Sequence, residues 1–166
     1  MRLFLVYSLM PLLLWVAQTS ATPKDIQEVT RSDFQAFVNA TGYVTDAEQY
    51  GWTFRQRTVY AYQVSKGESW RNSTYRGHEA TQVSYRDAVA YCQWKGARLP
   101  TLSEYWQLAT EDQQRDVWDW TQEGILAGGS YLCELTTCAG FLAGNEKRDV
   151  SRDTSNSHIG FCIIIE

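Results

Sequence analysis

The stretch VSYRDAVAYCQWKGARLPT, Val83 to Thr101, decides the reading of the chain. Ser84 is a good N-cap. Asp87 falls at the third helical position, where its carboxylate can reach back to the free amides of the first turn. Ala88, Tyr91 and Cys92 then share one face of a helix, and Gly96 ends it. Just beyond Pro100, Thr101 and Glu104 have the spacing of a capping box. Leu102, Tyr105, Trp106 and Ala109 form the apolar side of the helix that follows.

Outward from this stretch the elements are sparser. Towards the N-terminus, Ser32 is an N-cap, Phe34, Phe37 and Val38 make an apolar stripe, and Gly42 stops the helix. Residues 43–82 read as irregular chain with strand-like runs such as Thr58 to Val64, and with turns at Lys66-Gly67-Glu68 and Arg76-Gly77-His78. Towards the C-terminus, Val117 to Thr121 is a short strand or extended turn. Gly128-Gly129 opens a segment carrying two cysteines. Asn145 to Ser157 is a polar loop, and Ile159 to Ile165 closes the chain as a strand. Capped helices amid irregular, aromatic-rich chain predict an α+β domain with much loop.

The chain has 166 residues, with 15 Lys+Arg against 19 Asp+Glu. Arg2 followed by the apolar run Leu3 to Val16 and the small residues Thr19-Ser20-Ala21 predicts a signal peptide over residues 1–21. The run is short for a membrane span. Export would leave residues 22–166 as one domain in the secreted or periplasmic space, with no membrane attachment once the signal is cleaved. The mild acidity argues against nucleic acid as a partner. Seven Trp and ten Tyr either fill a core poor in regular structure or line a groove.

Four cysteines remain: Cys92, Cys133, Cys138 and Cys162. Cys133 and Cys138 stand five residues apart. On a strand that spacing puts side chains on opposite faces, and on a helix it leaves them about 140° apart. Their sulfurs meet only if Glu134 to Thr137 bends. Such a pair has three fates: a structural disulfide, a zinc site completed by His78 and His158, or a two-thiolate copper(I) site, since thiolates select soft ions.

Several segments, in order, resemble the formylglycine-generating enzyme (sulfatase-modifying factor) family. They are FQAFVNATGYVTDAE (Phe34 to Glu48), the Val83 to Thr101 stretch, WDWT (Trp118 to Thr121), GGSYLC with Cys138 (Gly128 to Cys138), and DTSNSHIGF (Asp153 to Phe161). The resemblance implies a modified C-type-lectin-like fold with little regular secondary structure. It implies copper(I) held by Cys133 and Cys138. It also implies dioxygen-dependent oxidation of a cysteine in a sulfatase-like protein or peptide to formylglycine. Ser130 would order the pocket, and Trp120 would form its apolar wall. By the same resemblance Cys92 would pair with Cys162.

The segment between Thr101 and Trp118 is shorter than in the family. At its C-terminal end Asp112, Asp116 and the adjoining Asp119 are candidate calcium ligands, since calcium takes oxygen donors. The residues after each cysteine also depart from the family pattern. These departures keep a second reading beside the enzyme: a non-catalytic peptide- or glycan-binding module on the same scaffold, with both cysteine pairs as structural disulfides.

Overall fold

Thr30, Thr45, Ser84 and Thr101 each open a helix by the same device. The hydroxyl of each accepts the amide of the third helical residue, and the acid there (Asp33, Glu48, Asp87, Glu104) accepts the cap's own amide. Two of the donors that a helix start leaves free are satisfied reciprocally in this way. The computed structural model describes residues 25–58, 60–133, 138 and 150–165. The expected signal peptide and the expected bend at 134–137 lie outside these residues.

The elements run β1 (Ile26–Glu28), α1 (Arg31–Thr41), α2 (Asp46–Tyr50), β2 (Trp52–Thr58), β3 (Ala61–Lys66), α3 (Tyr85–Lys95), β4 (Ala97–Arg98), α4 (Leu102–Leu108), α5 (Gln113–Asp116), β5 (Trp118–Trp120), β6 (Leu126–Gly128), β7 (Ile159–Gly160) and β8 (Cys162–Ile165). This is the expected α+β architecture with short elements. The strands form three small sheets, ordered β1-β8-β4, β2-β3 and β6-β5-β7. No helix among the described residues is long and apolar enough to cross a membrane.

Four local readings are corrected. Thr30, two residues earlier than expected, caps α1, with Asp33 as its reciprocal partner. Residues 43–82 hold more order than their composition suggests. Thr45 and Glu48 form the capping box that starts α2, and β2 and β3 pair as a hairpin whose turn lies inside the expected Thr58–Val64 strand. On α4 only Tyr105 of the expected apolar side is buried. Finally, Ile159–Ile165 is two strands. β7 runs parallel to β5, while β8 lies antiparallel between β1 and β4. At Gly160 a side-chain carbon would lie 3.0 Å from the Ala80 carbonyl oxygen and 3.1 Å from Val117, so glycine lets the chain pass where it changes sheets.

The core is built on rings. Phe34 lies edge-on to Phe37, Trp70 and Phe161 and stacked with Tyr91, at centroid distances of 5.1–6.2 Å. A polar staple joins α2 to the start of α3. The Ser84 hydroxyl donates to Asp46 at 2.6 Å, and the Asp46 amide donates to Asp87 at 3.1 Å. Burial pushes the Asp87 carboxyl up to about 6.

Phe34 has no exposed surface. Phe34→Ala should therefore destabilise the fold by about 3–5 kcal/mol, the range for truncating a core aromatic. Urea unfolding of the two proteins measures this.

Candidate active site around the cysteine pair

Strand β5 positions the site. Trp118, Asp119 and Trp120 are all buried. Trp118 faces Gly128 of β6 on one side and Ile159 of β7 on the other. The chain leaves β6 through Gly128 at φ 82°, where a side-chain carbon would lie 2.5 Å from the Tyr105 hydroxyl and 3.1 Å from the Gln114 carbonyl. Only glycine meets both demands.

A tight turn follows. The Tyr131 amide donates to the Asp116 carbonyl at 3.0 Å, and the Cys133 amide donates to the Ser130 carbonyl at 2.7 Å. The Ser130 amide points at the Cys133 sulfur, 3.4 Å away, and the Leu132 amide donates to the Ser130 hydroxyl. The sulfurs of Cys133 and Cys138 are bonded to each other, with their Cα atoms 5.5 Å apart. The two sulfurs thus meet, which neither a regular strand nor a regular helix would allow at that spacing. Cys138 is buried in the same core cluster as Trp118 and Trp120, and Cys133 packs against that cluster.

Ser130 has a second partner, His158, which the sequence offered only as a candidate zinc ligand. Its hydroxyl lies 3.3 Å from His158 Nδ1, and both residues are buried. His158 also accepts the Trp118 amide through its carbonyl. Its position just before the Ile159 strand was the available signal, but nothing in one sequence says that this strand runs beside Trp118. Trp120 is fully buried. Its indole N–H donates to the Val83 carbonyl at 3.1 Å, and its ring meets Tyr85 edge-on. It belongs to the core cluster that contains Cys138. On the outer side Tyr131 stacks on Tyr75, 5.1 Å between centroids, at a recess of about 400 Å³ lined also by Thr74, Arg76 and Gly77.

The expected Cys92–Cys162 bridge is not formed: both are free, buried thiols. Alternation along β8 gives the reason. Phe161 and Ile163 face the core cluster that contains Cys92. Cys162 points the other way, and its thiol donates to Asp119 Oδ1 at 3.6 Å. The bridge fails because Cys162 stands on the wrong parity of the strand. Burial pushes the Cys92 thiol up to about 12 and the Cys162 thiol well above its ordinary value, so neither supplies a thiolate at neutral pH.

The expected calcium set is not assembled either. Asp112 is exposed, whereas Asp119 is buried and accepts the Tyr105 hydroxyl at 3.0 Å as well as the Cys162 thiol. Asp119 sits on a strand, where its side chain turns inward. Asp116 ends α5 and turns instead towards Glu28 and Glu79.

A loop-rich α+β domain with a braced cysteine pair at the edge of its core defines the class. Residues 24–124 match the sulfatase-modifying factor enzyme 1-like domain family, and the chain belongs to it. That matched range ends before the cysteine pair. The chain is 36% identical to the mouse (Mus musculus) formylglycine-generating enzyme over 105 residues, 49% of this chain and 28% of that protein. It is 37% identical to the formylglycine-generating enzyme of Thermomonospora curvata over 120 residues, 57% of this chain and 39% of that one. A mouse protein named inactive C-alpha-formylglycine-generating enzyme 2 is 31% identical over 119 residues, 58% of this chain and 39% of its own length. The chain thus spans well under half the length of these relatives.

Burial pushes the Asp119 carboxyl up to about 8, far above its ordinary 3.8. The native state therefore holds a proton that the unfolded chain releases near pH 4. The contribution of Asp119 to stability should be largest at or below that pH and should decline as pH rises to 8. Asp87 contributes the same sign only up to about pH 6. Asp119→Asn should therefore flatten the decline in Tm between pH 6 and 8, which a thermal-melt series in matched buffers measures.

Proposed function

We propose that this chain is a formylglycine-generating-type oxidase, in which Cys133 and Cys138, once reduced, hold copper(I) and a cysteine of a peptide or protein is oxidised to formylglycine. The observation that carries this reading is the meeting of the two sulfurs in a turn braced by Ser130, within a fold of that family. The donor set fits the ion. Two thiols that meet at one place are soft ligands, and copper(I) is the soft ion that such ligands select. Copper(I) bound there would supply the dioxygen-dependent redox chemistry.

The chain's own residues supply the rest. The Ser130 amide, 3.4 Å from the Cys133 sulfur, fixes where that sulfur sits. The Ser130 hydroxyl, held between His158 and the Leu132 amide, keeps the turn in one orientation. Trp118 and Trp120 back the pair with apolar core, which excludes water from that side. The recess at Tyr75 and Tyr131 leaves the outer side open to a peptide. Export through the signal at residues 1–21 would place the protein in an oxidising compartment, with exported sulfatase-like chains as partners.

A second reading is favoured by one observation: the two cysteines are disulfide-bonded. A permanent bond would make this a peptide- or glycan-binding module. One experiment separates the two. Reduced protein titrated with copper(I) against a colorimetric chelator should take up one ion, and Cys133→Ser and Cys138→Ser should each weaken binding at least 100-fold. Uptake that neither substitution changes, or a Cys133–Cys138 bond that survives mild reductant in mass spectrometry, would sink the oxidase reading. Ser130→Ala should retain the copper and lower turnover of a cysteine peptide at least tenfold, read as aldehyde formed per minute.

A further inference from the structure

We propose that Glu28, Glu79 and Asp116 form a binding site for a hard divalent cation, calcium, that braces the turn carrying the cysteine pair. One carboxylate oxygen from each of the three residues lies within 4.8 Å of the other two. They come from three places in the chain: the end of β1, the segment ahead of α3, and the end of α5. The convergence is built by the backbone. The Ala80 amide donates to the Val29 carbonyl at 2.9 Å, and Thr30 and Glu79 form a β-bridge, so Glu79 is held beside the end of β1.

A second, independent observation points to a ligand. Glu79 is only 8% exposed, and its Oε2, shielded from water, has no hydrogen-bond partner among the described residues. A buried carboxylate oxygen without a partner is expensive to leave so. The Tyr75 phenol beside Glu79 is neutral and does not cancel its charge. The groups that act on the cluster are the Tyr75 phenol at Glu79, the Gln113 side chain and His78 at Glu28, and Asp112 at Asp116. Only His78 among these can carry positive charge, and it faces Glu28. A cation among the three oxygens satisfies the orphan and removes the repulsion together.

The donor chemistry selects the ion. All three ligands are carboxylates, which suit hard cations and not the soft copper(I) proposed for the cysteines. Three carboxylates supply up to six oxygens, and calcium takes 6–8 with loose geometry, whereas magnesium demands a near-ideal octahedron. Glu28 and Asp116 are partly exposed, leaving an entry path and room for water ligands.

The position gives the ion a task. The carbonyl of Asp116 accepts the Tyr131 amide, and Tyr131 stacks on Tyr75, whose phenol meets Glu79. An ion holding Asp116 and Glu79 in place would fix both anchors of Tyr131, two residues before Cys133. The site is separate from the copper reading, and its test uses no copper.

The full chain, stripped with chelator, is titrated with calcium by calorimetry and by thermal melt. One saturable site and a raised Tm are expected, with tenfold excess magnesium failing to displace calcium. Glu79→Gln should weaken calcium binding at least tenfold. In chelator the same variant should melt no lower than the unsubstituted protein, because it relieves repulsion. If Glu79→Gln does not fold, Glu28→Gln should show the same two effects. No saturable uptake, preference for magnesium, or loss of binding in Asp119→Asn with retention in Glu79→Gln would each overturn the proposal.

Discussion

The parts of the site depend on one short strand, Trp118–Asp119–Trp120, buried at every position. It is a hub because it pairs with one neighbour from just upstream of the cysteines and one from near the chain's end. Without it, Ser130 and His158, 28 residues apart, have no reason to meet. A three-residue strand has few ladder bonds of its own. Its rigidity comes from large side chains packed on both faces, and interiors of this density transmit displacement rather than absorb it. A shift at Trp118 would move both the Gly128 exit and the His158 carbonyl.

Four cysteines in one small domain divide by environment. Cys92 and Cys162 are sealed in apolar or neutral surroundings, where burial favours the protonated thiol and leaves it inert. Cys133 is half-buried on a turn with an amide aimed at its sulfur, and Cys138 lies beneath it within bonding distance. The chemistry proposed for the pair follows from this contrast. The same residue type is sealed in the core at Cys162 and lies half-buried on a turn at Cys133.

Acidic residues divide in the same way. Asp33, Glu48, Asp87 and Glu104 all serve as reciprocal caps, so their charges are absorbed by helix starts. Asp119 is absorbed by Tyr105 and Cys162. Glu28, Glu79 and Asp116 are the carboxylates that converge on each other. Counting acids along the chain could not separate these groups, because a cap is a local relation and a cluster is not.

Much of the fold was legible in the sequence. The capping box at Ser84 and the one at Thr101, the stop at Gly96, the stripe of Phe34, Phe37 and Val38, and the glycines before the cysteine pair all act within a few residues, which is the range that local pattern can report. The start of α1 was misplaced by two residues because Thr30 and Ser32 are both fit caps, and only the acid at Asp33 chooses between them. The hairpin of β2 and β3 was blurred because its alternation is weak and its outer face is exposed. The sequence alone also determined that Cys133 and Cys138 could meet only through something other than a regular element. The tertiary structure decided which residues then surround them. It put His158 against Ser130, turned Cys162 away from Cys92, and sent Asp116 to Glu28 and Glu79 instead of to Asp119. Each of those outcomes depends on strand parity and on pairing between distant segments, and neither is encoded in the spacing of residues along one chain.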